Sequence, residues 1–321
     1  MKRFALRLMQ AGGVFAATRA MSAQMARILM YHNFSEASEP DAVPVSAMTH
    51  QLEHLLRHFC VVPLSEIVSR VRSGQVLGNR LVALTIDDGR SNFYELIFPL
   101  LRKLNLPATF FVVSSFINGE GWLWTDQILW LSEQPGRPNE LAPHRLDGFF
   151  RNLNQLTPEV RTKAIAQMAA RMEVNIPQAP PPKFAPCSWK QLREMADSGL
   201  VEIGSHTITH PILASISDEQ SLHELTASRV QIEQAIGRKI RYFCYPNGQP
   251  GDYRSSQVRQ VQNAGYDAAV AACPGMVNRK SDLCELPRIG VSGWSDRVTF
   301  FKHLDGADYY QIKIQRFLGL A

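Results

Sequence analysis

Eight short apolar runs, spread over most of the chain and separated by stretches of helical character, constrain the fold more than any other feature. They are Arg27–Tyr31, 60–63, Leu81–Ile86, 108–113, Val201–Ser205, 240–245, 266–272 and 286–291. Runs such as LVALTI and ATFFVV are apolar at nearly every position, not every second one, which predicts strands buried on both faces. Helical spacing fills the gaps at 48–59, 65–72 and 91–105, the last opened by Ser91 and followed by Pro107. Ser188 with Gln191, and Ser217 with Gln220, form capping boxes for two helices that end near Gly199 and at Gly237. Another helix covers 254–265. Strand, helix and strand follow one another within 81–113, a βαβ unit that implies parallel pairing. The pattern predicts a parallel α/β fold, open or barrel-like.

The alternation breaks at 119–186. Trp122, Trp124 and Trp130 crowd one segment, Thr157-Pro158-Glu159 opens a helix, and 177–186 (PQAPPPKFAP) is an extended linker. This stretch is expected to be an insertion on one domain covering 26–321. Residues 1–25 form a basic leader. Lys2, Arg3 and Arg7 resemble the start of a signal peptide and 20–23 (AMSA) a cleavage site, but Gln10, Gly12, Gly13, Thr18 and Arg19 dilute the apolar stretch between them. The leader is thus either an amphipathic segment that touches protein or membrane, or a cleaved signal. No run reaches the ~18 apolar residues of a membrane-spanning helix.

Composition narrows the partners. With 45% hydrophobic and 20% charged residues, the 321-residue chain is not disordered. Its net charge of +5 is scattered, which permits peripheral contact with a membrane surface and does not call for nucleic acid. The five cysteines include no C-x-x-C pair, and the odd count leans toward a reducing compartment. The expected location is the cytoplasm or the cytoplasmic face of the membrane, or the periplasm or exterior if the leader is a signal peptide.

In parallel α/β folds the working residues sit at the carboxyl ends of strands. Four such ends stand out: His32, Asp87-Asp88-Gly89, His206-x-x-x-His210-Pro211 and Tyr245-Pro246-Asn247-Gly248. A bare D-D-G is usually a polar turn, and a lone histidine is usually structural. Together they mean more. Two adjacent carboxylates repel unless one meets a cation, and a divalent metal would leave the other free as a base. Two imidazoles plus one carboxylate leave positions open for water and substrate, the pattern of a catalytic site. No glutamate follows His206, and Pro211 disfavours a helical His210, so an H-E-x-x-H helix is excluded in favour of a strand-end loop. His50, His54 and His58 also share a helix face, but no strand-end carboxylate accompanies them, and a solvated surface is expected there.

These segments resemble the polysaccharide deacetylase (NodB homology) domain, carbohydrate esterase family 4. Thr85-Ile86-Asp87-Asp88-Gly89 resembles its T-F-D-D-G motif, 205–211 (SHTITHP) its H-[ST]-x-x-H-P motif, and Tyr245-Pro246-Asn247-Gly248 the end of its third. The segments 29–32 (LMYH) and 286–289 (LPRI) also resemble bacterial envelope-polysaccharide members. The resemblance spans roughly 26–295 and implies a distorted (β/α) barrel of seven or eight strands. It also implies Asp87 as general base and Asp88, His206 and His210 as ligands of one divalent metal. Zinc suits those ligands best, with cobalt, nickel or manganese as alternatives. Water activated by the metal would attack an N-acetyl carbonyl, with the backbone N–H of Asn247 helping to hold the oxyanion.

The chain departs from the family pattern twice. Cys244 stands where the third motif carries an arginine, and Arg288 is either its replacement in orienting Asp87 or a plain structural partner. The family's L-x-H histidine, which protonates the leaving amine, has no clean match: His303 in 301–304 (FKHL) is off-pattern, and His32 is the other candidate. Trp122, Trp124 and Trp294 either stack on sugar rings or serve the core. The expected function is a metal-dependent hydrolase removing N-acetyl groups from amino sugars of a cell-surface polysaccharide or its lipid-linked precursor. The alternatives are a C–N hydrolase of small cyclic amides or ureides on the same scaffold, and a catalytically dead glycan-binding module.

Overall fold

The computed structural model describes residues 9, 11–37, 39, 41–291 and 297–317. The strands of its main sheet are β1 (Arg27–Tyr31), β2 (Cys60–Val61), β3 (Leu81–Ile86), β4 (Ala108–Val112), β5 (Val201–Ser205), β6 (Tyr242–Cys244), β7 (Ala268–Pro274) and β8 (Leu286–Gly290). All pair in parallel, in the order β1-β8-β7-β6-β5-β4-β3, and β1 returns to pair with β3. Seven strands therefore close into a barrel. β2 is the extra strand, bonded at Leu81 and Val82 to the start of β3, while β4 takes the end of β3 at Thr85 and Ile86.

Burial on both faces explains the uninterrupted apolar runs. Ile28, Ala83, Phe111, Tyr242, Cys244, Ala268, Val270 and Leu286 share one cluster, which Leu64, Ile67, Val68 and Val71 of the helix Leu64–Arg72 join. The alternate residues Leu29, Leu84, Phe110, Ile203, Phe243 and Ala269 pack into a second cluster with the helices Val45–His58, Trp189–Asp197, Asp218–Ile236 and Ser255–Asn263. Both capping boxes form as the spacing predicts, and Gly237 ends its helix at φ 70°. The 91–105 stretch differs from a plain helix. It holds a π-helical turn at Phe93–Ile97 before the α-helix Phe98–Leu104, whose end is left-handed at Asn105. The expected strand at 240–245 shortens to Tyr242–Cys244, because Tyr245 already leads into the Pro246 turn.

The 119–186 stretch builds a small core of its own. Ile128, Leu131, Leu141, Leu153, Ile165 and Met168 meet between the helices Trp124–Glu133, Leu146–Asn154 and Pro158–Arg171. The Thr157 side chain caps the third helix by accepting from the Val160 N–H. Buried Arg161 donates to the carbonyls of Leu153 (3.1 Å) and Leu156 (2.9 Å), with its guanidinium 4.4 Å from the Trp124 ring.

The histidine row on Val45–His58 is only partly the solvated face expected of it. His50 faces solvent, but His54 stacks on Phe301 at 3.8 Å, with Nε2 3.7 Å from Asp305 Oδ1. The reason is the helix Arg297–Leu304, which packs there together with Arg19 from the helix Val14–Met21, itself paired to Asp305 at 3.0 Å. Among the described residues no helix is long and apolar enough to cross a membrane.

Gly204, in β5, tests the barrel packing. A Cβ there would lie 2.4 Å from Phe111 Cδ1 and 3.1 Å from the Tyr242 carbonyl oxygen. Gly204→Ala is expected to destabilise the protein by about 1–3 kcal/mol through overpacking, measured as a lower urea midpoint with an unchanged slope.

Candidate active site

Side chains of successive strand residues point to opposite faces. In β3 the positions in phase with Leu81 and Ala83 are Thr85 and, just past the strand, Asp87. In β5 Gly204 leads to His206, in β6 Tyr242 leads to Cys244, and in β8 Leu286 leads to Arg288. The barrel interior thus turns from apolar to ionic at its carboxyl end. Asp87 and Arg288 are each 1% exposed.

Arg288 spends its whole fork here. Its Nη1 donates to Asp87 Oδ1 (2.8 Å) and Thr85 Oγ1 (3.1 Å), its Nε to the Ala271 carbonyl (3.1 Å), and its Nη2 to Cys244 Sγ (3.1 Å). The small Cys244 leaves the room that the guanidinium fills. Asp87 Oδ2 is left facing His32 Nε2 at 3.7 Å and Cys244 Sγ at 3.4 Å. Burial alone would raise the Asp87 pKa, but the charges of Arg288 and His32 outweigh it and hold the carboxyl below its ordinary range.

Asp88 turns the other way, at φ 79°, and Gly89 follows at φ 96°. Glycine suits that position because φ 96° is a conformation that side chains with a Cβ rarely adopt. Asp88 Oδ2 takes Arg90 Nη1 at 2.9 Å, and Oδ1 lies 3.7 Å from both His206 Nε2 and His210 Nε2. The two imidazole nitrogens are 3.1 Å apart. His206 Nδ1 donates to the Cys244 carbonyl at 2.7 Å, so its Nε2 carries a lone pair toward His210. Buried His210 Nδ1 has no hydrogen-bond partner among the described residues. Burial depresses the pKa of both rings, His210 to about 3, with the neighbouring His206 adding to the shift. Neutral imidazoles and an ionised carboxylate are the protonation states a metal requires. Ligands ~2.0–2.1 Å from one tetrahedral ion lie ~3.3 Å from each other, so the three facing atoms fit a single divalent cation.

The loop holding these rings is strained. Thr207 (φ 70°) and His210 (φ 57°) are left-handed. Glu224, on Asp218–Ile236, supports it. Its Oε2 accepts from the N–H groups of Ile208 (2.7 Å) and Thr209 (3.1 Å), and its Oε1 from the Thr209 hydroxyl (2.6 Å).

A cavity of about 270 Å³ opens over this constellation, lined by His32, Asp87, Asp88, His206, His210 and Asn247, with Trp124, Phe150 and Asn154 arriving from the 119–186 stretch. Asn247 is left-handed (φ 57°), and its side-chain amide is spent on Asp252. The structure brings together all seven residues singled out from the sequence, Arg288 from beneath. It separates the two candidate histidines: His32 is at the cavity, whereas His303 pairs with Asp308 on the C-terminal helices. Trp124 lines the cavity. Trp122 is buried, with its Nε1 donating to the Pro177 carbonyl at 3.1 Å, and Trp294 lies outside the described residues. Sequence reasoning missed Arg90, Asp126 and Glu224. The only signal was charge next to a motif or in a helix, which looks the same as a solvated surface. Asp126, fully buried, is pushed up to about 6 by burial, against the pull of Arg90.

Two outcomes follow from this geometry. Glu224→Ala leaves two N–H groups without an acceptor and is expected to cost about 2–4 kcal/mol in urea unfolding. Metal-free protein should lose stability as pH falls from ~6.5 toward ~4. In that window the unfolded chain protonates its histidine while folded His210 does not, and Asp87 and Asp88 add the same sign at lower pH. Asp126 opposes the trend, because its folded carboxyl binds a proton at higher pH than the unfolded one. His210→Asn should flatten the decline, measured as urea midpoints between pH 7.5 and 4.

The poly-beta-1,6-N-acetyl-D-glucosamine N-deacetylase of Escherichia coli (strain K12) is 29% identical over 295 residues, a match that takes in 82% of this chain and 36% of that enzyme. Among solved structures, a de-N-acetylase from Aggregatibacter actinomycetemcomitans superposes with a TM-score of 0.61 at 20% identity, covering 87% of this chain and 99% of that one. The Streptococcus pyogenes deacetylase PplD, in complex with acetate, gives 0.60 at 18%, covering 87% and 98%. These two likenesses establish the barrel as the fold of such enzymes. A family model described as polysaccharide deacetylase matches residues 75–269, well over half of the sequence and inclusive of both the Asp87-Asp88 and His206–His210 segments. The chain belongs to the polysaccharide deacetylase family.

Proposed function

We propose that this protein is a metal-dependent hydrolase that removes N-acetyl groups from the amino sugars of a cell-surface polysaccharide or its lipid-linked precursor. One observation carries the proposal. Asp88 Oδ1, His206 Nε2 and His210 Nε2 converge within 3.1–3.7 Å of one another, and a second, separately paired carboxylate, Asp87, stands beside them under the same cavity. The name of the Escherichia coli relative supports an N-acetylglucosamine polymer as the substrate class, through the part of that enzyme which this chain matches.

When bound, a divalent cation, zinc by the chemistry of the donor set, supplies Lewis acidity toward the acetamide carbonyl and lowers the pKa of water. The remaining steps fall to the chain's own residues. Arg288 fixes Asp87 through Oδ1, which leaves Oδ2 turned to the cavity as the atom that accepts the proton of the attacking water. Asn247, its side chain already held by Asp252, presents its backbone N–H to the developing oxyanion. His32, half-exposed and 3.7 Å from Asp87 Oδ2, is placed to return a proton to the leaving amine. Trp124 forms an apolar wall against which a sugar ring can stack.

Acetate release from β-linked N-acetylglucosamine oligomers, compared with turnover of small cyclic amides and ureides, tests the assignment. Release from the oligomers is expected, with loss on chelation and recovery with zinc. Turnover of the cyclic substrates alone would overturn it. Asp87→Asn should lower kcat about 10²–10⁴-fold while zinc still binds, as measured by calorimetry.

A further inference from the structure

Arg90 and Asp126 are nearly inaccessible, at 5% and 0% exposure, and lie beside the metal-ligand cluster without belonging to it. All three guanidinium nitrogens of Arg90 are engaged. Nη1 meets Asp88 Oδ2 at 2.9 Å, while Nε and Nη2 grip Asp126 Oδ2 and Oδ1 at 3.1 and 2.5 Å. This two-pronged grip is specific to arginine, whose planar fork matches a carboxylate. Asp126 is the third residue of the helix Trp124–Glu133, whose first two, Trp124 and Thr125, line the cavity. The far end of the same 119–186 stretch returns to the same spot. Arg90 forms a β-bridge with Pro186, the Ser91 N–H donates to the Ala185 carbonyl (2.9 Å), and the Cys187 N–H donates to the Gly89 carbonyl (2.9 Å). Both ends of the insertion therefore fasten to the three residues that follow Asp88.

We propose that Arg90 and Asp126 are positioning residues: a clamp that presents Asp88 to the metal through Oδ1 alone and couples metal binding to the docking of the Trp124–Glu133 wall. The inference rests on the metal-site reading given above. Two physical points support it. With Oδ2 pinned by Arg90, Asp88 has one oxygen left for the ion. A guanidinium this close to a dication would repel it, and Asp126 is the carboxylate that offsets that charge. If the ion draws Asp88 toward the two histidines, the pull passes through Arg90 to the helix. By linkage, if the ion favours the docked helix by some factor, docking of the helix favours the ion by the same factor.

The test uses the full chain and zinc as the probe. Zinc affinity is measured by competition with a chromophoric chelator, and amide hydrogen exchange is followed across 124–133 and 185–187 with and without zinc. In the wild type, zinc should slow exchange in 124–133. Asp126→Asn preserves shape but leaves Arg90 uncompensated, and should weaken zinc binding ~10–100-fold. The double variant Arg90→Leu/Asp126→Leu removes both charges and guards against misfolding of the single one. It should still bind zinc, but zinc should no longer protect 124–133. Wild-type exchange that ignores bound zinc, or Asp126→Asn binding zinc as tightly as wild type, overturns the clamp and leaves the metal site standing. A wild type that binds no zinc overturns the metal-site reading itself, and the clamp with it.

Discussion

Two buried carboxylates on consecutive residues cannot both stay ionised unless each has its own cation, and the upper end of this barrel is arranged around that constraint. Asp87 is assigned to Arg288, which rises inside the barrel from β8, and Asp88 to Arg90, two residues along its own chain. The left-handed turn at Asp88 and Gly89 makes the split possible, because it sends the two side chains into different surroundings. One oxygen of Asp87 remains toward the cavity, and one oxygen of Asp88 remains toward the two imidazoles. Each carboxylate is thereby half spent on a structural ion pair and half available for chemistry.

The same economy appears in the histidine loop. Two residues with positive φ, in a segment of five, are unfavourable in isolation. They persist because Glu224 holds the intervening N–H groups from a helix packed outside the barrel. The rings are consequently fixed by a carboxylate that never touches them. A loop supported this way holds two uncharged imidazoles edge-on with their Nε2 atoms 3.1 Å apart, a preorganised arrangement that would lower the cost of binding an ion.

Much of the architecture is legible in the amino-acid order. LVALTI is apolar at every position save one threonine, and that required a strand covered on both sides. Ser188 and Ser217, each with a glutamine three residues on, mark the starts of their helices. The Asp87-Asp88-Gly89 and His206–His210 segments pointed to one metal centre because strand ends in parallel folds gather at one rim. Arg288 is open between two roles in the sequence, and the structure puts it in direct contact with Asp87 at 2.8 Å, beside Cys244. His54 went the other way. Its helical spacing promised a solvated face, but spacing reports the face and not what a distant helix lays over it.

Local order in the chain thus specified the elements, their parallel pairing and the chemical identity of the cluster, since periodicity, caps and strand-end polarity act over a few residues. Ring closure between β1 and β3, the passage of Arg288 beneath Asp87, and the Asp126–Arg90–Asp88 link arose from folding alone. Arg90 and Asp126 look, in one dimension, like ordinary surface charges, and the two ends of the barrel carry no mark that they will meet. What separates a solvated arginine from a buried one is the set of distant groups that remove its water, and that set exists only once the chain has closed on itself.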